Sequence, residues 1–194
     1  VLFFRGFFGL LLYFLIMPKN RIKNFYYTKR AGLHFLRSFF GLIALLAIFV
    51  ALRNLPLADV ISLTFTGPLF VTIMSVIFLS EKVGIRRWSA VLIGFIGMLF
   101  IVRPAFQEMN LYYIFPIIFS IGFANVAISI RSLSKTEPNY LIAFYFSLLS
   151  MLIGLATIVN GWIWPSLYEA FLFVVLGLAG GYANILLTQS LRMA

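Results

Sequence analysis

Apolar residues fill this chain in seven long blocks, and short polar or proline-containing breaks separate them. The blocks cover residues 2–17, 35–54, 57–79, 88–102, 111–130, 140–159 and 169–191. A helix needs about 20 predominantly apolar residues to cross the hydrocarbon core, and fewer where flanking side chains snorkel. Each block therefore predicts a membrane-spanning helix. The fourth is the shortest, with fifteen residues between Arg87 and Arg103. At 1.5 Å per residue that is roughly 22 Å, so both arginines are expected to reach outward to the headgroups. Pro56, Pro104, Pro138 and Pro165 punctuate the connections, as expected at helix boundaries. No strand-like alternation or low-complexity tract stands out.

The third block departs from a plain apolar run. From Asp59 to Lys82 it reads DVISLTFTGPLFVTIMSVIFLSEK, with Gly67-Pro68 mid-span and Ser62, Thr64, Thr66 and Thr72 scattered along it. Proline removes one backbone hydrogen bond and bends a helix, and neighbouring hydroxyls can re-satisfy the freed groups. At 100° per residue Ser62 and Thr66 lie about 40° apart while Thr64 points away. The expectation is a cavity-lining helix kinked at Gly67 and Pro68, with Ser62 and Thr66 facing the cavity. Thr64 ranks second, as a residue that bonds its own helix. Glu81-Lys82 marks the cytoplasmic exit.

Composition fixes the class. Of 194 residues 63% are hydrophobic and only 10% charged, with mean hydropathy +1.07. Soluble domains are about half apolar and about a quarter charged, so a soluble fold of this length would lack the polar residues to cover itself. The expected fold class is an all-α polytopic membrane protein. Net charge is +10, but the basic residues sit in clusters between spans, a loop pattern rather than a nucleic-acid surface. Cysteine is absent, which excludes disulfides and thiolate metal sites.

Charge also assigns the sides. Lys19, Arg21, Lys23, Lys29 and Arg30, with Arg37 just beyond, follow the first span. Lys82, Arg86 and Arg87 follow the third, and Arg131 and Lys135 follow the fifth. These loops hold eleven of the fifteen basic residues, and the positive-inside bias places them in the cytoplasm. The first residue then faces out and the last faces in. Trp162, Trp164 and Tyr168 would form the outer aromatic belt, and Tyr26, Tyr27 and Trp88 the inner one.

A weak internal repeat adds topology. A shift of 139 residues lays Gly41 on Gly180, Ala44 on Ala183, Leu52 on Leu191 and Arg53 on Arg192. It relates the second span to the seventh; five spans apart, they cross in opposite directions, which defines an inverted repeat. On that shift roughly thirty residues precede Val1 and roughly fifty follow Ala194 in a ten-span whole, so both ends are expected to be truncated.

Catalytic groups do not assemble. Asp59, Glu81, Glu108, Glu137 and Glu169 all fall at span ends or loops, and His34 lies at the inner edge of the second span. No acid pair, metal-ligand cluster or nucleophile–base arrangement can be built in the membrane. What the spans do hold is small and neutral-polar. Ala90, Gly94 and Gly97 line one side of the fourth span and are expected to pack against a neighbouring helix. Asn125, with Ser120 and Ser129 near it, must face another helix or water, since an unpaired amide in hydrocarbon costs several kcal/mol; interhelical bonding and substrate contact both remain open. Tyr182, Asn184, Thr188 and Gln189 follow Gly177, Gly180 and Gly181, a mix expected on a cavity wall. Arg5 is the charge inside the outer half of a span, a functional candidate by default or else a snorkelling or structurally paired side chain. Tyr145 is expected in the core or at an interface rather than in contact with a ligand.

Several stretches together resemble the EamA-type drug/metabolite transporter family: LRNLPLA at residues 52–58, TFTGPLF at 64–70, FLSEK at 78–82 and Arg87-Trp88 running into IGFIG at 93–97. They are similar to that family's arginine-led span entry, P-L-F centre, L-G-E exit and G-x-x-G helix, with Ser80 in place of the usual glycine. GIRRWSAVLIGFIGM and VLGLAGGYANILLTQSLRMA look most like the bacterial branch that includes S-adenosylmethionine uptake transporters. The resemblance implies ten helices in two inverted five-helix repeats, alternating access, and helices two to eight in this chain. Residues 1–104 would be part of the first repeat and 105–194 part of the second. It further implies a secondary transporter of a small polar or zwitterionic organic metabolite in the bacterial inner membrane. The substrate cavity would draw on Ser62, Thr64, Thr66, Asn125, Tyr182, Asn184 and Arg5. The expected partners are that metabolite and the lipid bilayer, with no cofactor and no nucleic acid; a homo-oligomer is left open. A seven-helix receptor or sensor, and an intramembrane enzyme, are the competing readings.

Overall fold

The computed structural model describes residues 1–17, 28–102, 110–162 and 164–193, all in helices, turns and short connections. Tyr26, Tyr27, Lys19, Arg21, Lys23, Arg103 and Glu108 lie outside the described residues. Eight α-helices occur among the described ones: α1 (Leu2–Ile16), α2 (Ala31–Asn54), α3 (Leu57–Thr64), α4 (Gly67–Leu79), α5 (Ile85–Val102), α6 (Ile114–Leu133), α7 (Asn139–Ala156) and α8 (Leu167–Met193). Five segments are long and apolar enough to cross a membrane, and α1 is a shorter apolar helix. The chain is an all-α, multi-pass membrane protein.

Helix ends follow local chemistry. Pro56 and Pro138 precede α3 and α7, where a missing N–H costs nothing. Ser166 and Glu169 form a reciprocal cap on α8: the Ser166 N–H donates to Glu169 Oε2 at 2.8 Å, and the Glu169 N–H donates to Ser166 Oγ at 3.3 Å. α5 starts at Ile85, three residues before the apolar block, and has 18 residues. Arg86, Arg87 and Trp88 continue the helix because charge ends an apolar run without ending helical hydrogen bonding.

The third block is broken. α3 ends at Thr64 and α4 begins at Gly67 with Pro68 in its first turn. Across the joint the Phe65 and Thr66 N–H groups donate three residues back, to the carbonyls of Ser62 and Leu63, both at 3.1 Å. Pro68 has no N–H for the Thr64 carbonyl, and the Ser120 hydroxyl approaches that oxygen at 3.4 Å. The Ser62, Thr64, Thr66 and Thr72 hydroxyls each donate to a carbonyl three or four residues earlier in the chain, satisfying backbone oxygens where lipid offers no donor. α4 then ends at Ser80 in the left-handed region, with φ 54°. That conformation accounts for the glycine usual at this place in the resembling family.

By contact the chain divides into two units: residues 1–39 with 129–194, and residues 40–128. This grouping does not follow the division at 104/105 expected from the sequence, since contact groups whatever helices touch. In the second unit Ala51, Leu55 and Val60 pack with Tyr113 and Phe115, while Leu63 and Met98 pack with Phe95 and Tyr113. The Tyr113 hydroxyl donates to Asp59 Oδ2 at 3.0 Å. Gly122 lets α6 close on α2, where a Cβ would stand 3.0 Å from both Ala44 Cβ and the Phe40 carbonyl oxygen. The small face of α5 is a correction to the sequence reading. Nothing among the described residues lies within 4 Å of a Cβ placed at Gly94 or Gly97. A stripe of small residues permits close packing without specifying a partner.

Candidate functional site

The first unit is built on glycine. Around α1, a Cβ at Gly6 would meet the Met151 nitrogen and Ser147 carbonyl of α7, and Gly154 of α7 lies against Phe3. Rising numbers on α1 meet falling numbers on α7, so the two run antiparallel. On α8, Gly177 faces Phe4 and Phe8, while Gly181 faces Gly9, Leu12 and Tyr13, so α1 and α8 run parallel. Small residues at these crossings let backbones approach in lipid, where dispersion replaces the hydrophobic effect as the packing force.

That approach places a set of polar side chains side by side. Arg5, Gly9 and Tyr13 share one face of α1 at four-residue spacing, and Gly177, Gly181, Asn184 and Thr188 form the buried face of α8. The start of α2 is clamped in place. Thr28 Oγ1 donates to Glu137 Oε1 at 2.7 Å, and the Arg30 guanidinium donates to the Ser132 carbonyl at 2.9 Å and to its hydroxyl at 3.2 Å. One turn and more into α2, His34 and Arg37 turn inward and are buried.

Arg37 is the centre of the set. Its side chain is 2% exposed. Nη2 donates to Asn184 Oδ1 at 2.6 Å, and the guanidinium carbon sits 4.5 Å from the Phe146 ring centroid. Arg5 reaches the same ring from α1, at 6.0 Å, and its Nε lies 3.0 Å from where a Gly180 Cβ would be. Tyr13, fully buried, donates its hydroxyl to the Gly181 carbonyl at 3.1 Å. Thr188 donates to the Asn184 carbonyl at 2.8 Å.

The electrostatics are unbalanced. Arg37 Nε and Nη1 are buried with no hydrogen-bond partner among the described residues. Arg87 of α5 pairs with Glu81, in the connection before it, at 4.0 Å, and neither Arg5 nor Arg37 pairs with a carboxylate among the described residues. An arginine at the centre of a spanning helix costs about 2.5–3.5 kcal/mol on insertion scales, an upper bound for Arg37, seven residues into α2. A cation over an aromatic face returns about 0.5–2 kcal/mol, and one charge-assisted amide bond returns about 1.5–3 kcal/mol. Two like charges about 10 Å apart, near the limit set by the shared ring, repel by roughly 1.7 kcal/mol at an effective dielectric of 20. The cluster thus keeps a cationic surplus and unused donors.

Two cavities lie in the same unit. One of about 180 Å³ is lined by His34, Ser38, Tyr145 and leucines of α7; the His34 ring lies 4.5 Å from the Tyr145 ring, and both its nitrogens lack a hydrogen-bond partner among the described residues. The other, of about 460 Å³, is lined by Phe3, Phe4, Gly154, Trp162 and Phe173. Trp162 packs on Phe3 and Phe4, at 5.0 and 6.2 Å between centroids.

Of the residues singled out from sequence, Arg5 and Asn184 come together in this cluster. Ser62, Thr64, Thr66 and Asn125 belong to the second unit. There Ser62 and Thr66 are buried, Thr64 is half-buried, and the Asn125 amide donates to Ile121 of its own helix at 3.1 Å. Gly67 lies under Phe123 and Ser120, and Pro68 is exposed. Tyr182 is 55% exposed on α8, on a different face from Asn184. Sequence reading passed over Arg37, Tyr13 and Phe146. Arg37 was counted with the loop cations because it follows Lys29 and Arg30, yet it stands seven residues into α2 with Phe35, Leu36, Phe39 and Phe40 around it. An arginine embedded in FLRSFF carried the signal.

Comparison with known proteins agrees with this architecture. The family model described as the EamA-like transporter family matches residues 1–103. The chain is 27% identical over 196 residues to an S-adenosylmethionine uptake transporter of Rickettsia bellii, covering 100% of this chain and 66% of the relative. It is 28% identical over 194 residues to a pseudopaline exporter of Pseudomonas aeruginosa, covering 98% of this chain and 67% of the relative. It is 31% identical over 149 residues to a riboflavin transporter of Vibrio cholerae, covering 76% of this chain and 50% of the relative. The chain thus spans about two thirds of the length of the first of these relatives. No solved structure matches.

Proposed function

This chain belongs to the EamA-like transporter family, and on that premise we propose that the protein is a secondary carrier. It moves a small polar or zwitterionic organic metabolite across a bacterial inner membrane by alternating access, and it is not an enzyme. The observation that carries the reading is the polar cluster of Arg5, Tyr13, Arg37 and Asn184, the last three buried, inside packed apolar helices. Polar groups in lipid are costly and collect where a substrate or ion passes. The names of the relatives, all transporters of small molecules, support the same class.

Topologically, the helices here are the second to eighth of ten in two inverted repeats. The match of the family model to residues 1–103 supports a first-repeat boundary near residue 104. The clustered basic loops support an outward first residue and a cytoplasmic last one. The α3–α4 break supports a cavity-lining role for Ser62, Thr66 and Thr64, since spans interrupted near the midplane give substrates access to backbone and hydroxyl groups. Asn125 joins the proposed lining within that unit, and Tyr182 is proposed separately as a substrate contact on α8.

The test is saturable flux through the full-length protein in proteoliposomes. S-adenosylmethionine, pseudopaline and riboflavin, named in the relatives, are the first substrates, assayed in both directions because those names cover uptake and export. Carrier function predicts counterflow, in which unlabelled substrate on one side accelerates labelled substrate from the other. Flux that is linear in concentration and equal to empty vesicles for every candidate would remove the proposal.

A further inference from the structure

We propose that the Arg5–Arg37 cluster is a binding site for an oxyanion, a carboxylate or phosphate carried by the transported molecule, seated against the Phe146 ring. The inference rests on the carrier reading and narrows it to anionic or zwitterionic cargo. Three observations carry it. Both guanidiniums address the same ring, at 4.5 and 6.0 Å. No carboxylate among the described residues pairs with either. Arg37, 2% exposed, keeps Nε and Nη1 without a hydrogen-bond partner among those residues, while Nη2 is fixed on Asn184 Oδ1 at 2.6 Å.

The geometry divides the labour. Asn184 takes one N–H and so sets the plane of the guanidinium. Nε and Nη1 lie on opposite sides of Nη2, so the unpartnered donors present separate charge-assisted N–H groups to the oxygens of a carboxylate or phosphate. Arg5, on a neighbouring helix and less deeply buried, supplies a second positive charge to the same group. Gly180 leaves room for it, since a side chain there would meet Arg5 Nε at 3.0 Å. A residue kept only for packing would have its donors satisfied within the protein, because unpaired buried donors are costly where water is absent.

Binding is measured apart from transport, on full-length protein in detergent. Thermal unfolding is followed by intrinsic tryptophan fluorescence while benzoate, inorganic phosphate or benzamide is titrated. Benzoate and benzamide share a ring and differ in charge. The expected result is saturable stabilisation by benzoate or by phosphate and none by benzamide. Benzoate acting alone identifies a carboxylate subsite, and phosphate acting alone a phosphate one. Arg37→Gln should weaken the half-saturating concentration by about tenfold or more, the loss of a charge-assisted pair, and Arg37→Lys by less. Arg5→Gln, which leaves the Asn184 bond in place, should weaken it more mildly. Equal stabilisation by benzoate and benzamide, or none by any oxyanion, overturns the proposal without any variant having to fold. Wild-type benzoate affinity in a folded Arg37→Gln protein also overturns it. Flux on the same preparation separates the two readings: saturable transport without charge-selective binding removes the oxyanion site alone, and charge-selective binding without flux removes the carrier.

Discussion

Gly6→Ala tests the helix packing that creates the cluster. A Cβ at Gly6 would stand 2.6 Å from the Met151 nitrogen and 2.7 Å from the Ser147 carbonyl oxygen, where ordinary contact begins at 3.4 Å. The shortfall of roughly 0.7 Å falls on α7 backbone, which cannot swing aside as a side chain would, so α1 must lift away and surrender dispersion contacts along its length. Overpacking of this kind costs about 1–3 kcal/mol. Alanine's better helix propensity returns about 1 kcal/mol, leaving an expected net loss of about 0–2 kcal/mol. Gly94→Ala is the internal control, because nothing among the described residues lies within 4 Å of its Cβ and propensity acts alone, for a neutral effect or a gain of up to about 1 kcal/mol. The assay is the apparent thermal midpoint of the full-length protein in one detergent at one scan rate, since such unfolding is often irreversible and rate-dependent. At roughly 2–4 °C per kcal/mol for a chain of this size, Gly6→Ala should melt up to several degrees below wild type and Gly94→Ala at or slightly above it, with Gly6→Ala below Gly94→Ala throughout. If Gly6→Ala melts with Gly94→Ala, α1 and α7 do not touch as described, and the placement of Arg5 over Phe146 loses its basis.

Two further outcomes are expected. Ser80→Gly should raise the thermal midpoint, because a non-glycine residue at φ 54° carries a left-handed cost of about 1–2 kcal/mol that glycine avoids, partly offset by glycine's greater freedom when unfolded; a fall in the midpoint would place the α4 end in another conformation. Pro68→Ala restores an N–H opposite the Thr64 carbonyl and should let α3 and α4 fuse; because proline in a first turn costs little, the midpoint should move by less than about 1 kcal/mol equivalent while saturable flux falls severalfold. Wild-type flux in Pro68→Ala would show that the break is dispensable for transport.

Much of the architecture was legible in the chain. Each of the seven apolar blocks contains helix, and the block that carried Gly67-Pro68 is the one divided into two helices. The reason is local: span length, proline's missing N–H and hydroxyl back-bonding are fixed by neighbours in sequence. The boundaries of α5 were less legible, because hydropathy marks where lipid ends and the helix continues through Arg86 and Arg87. The cluster was the least legible part. Arg5 and Asn184 could be singled out as polar groups in apolar runs, but Arg37, Tyr13 and Phe146 could not be joined to them, since Arg37 sits 147 residues from Asn184.

The underlying cause is the solvent. In water a helix is apolar on the face it buries, so its pattern reveals what it packs against. In lipid it is apolar all round, and packing is decided by which small residues let which backbones close. Sequence alone therefore determined that this chain crosses a membrane as helices, where it breaks, and which polar residues are out of place there. Only the tertiary structure decided that Gly6, Gly9, Gly177 and Gly181 are crossing points while Gly94 and Gly97 are not, and hence that two arginines from different helices converge on one phenylalanine.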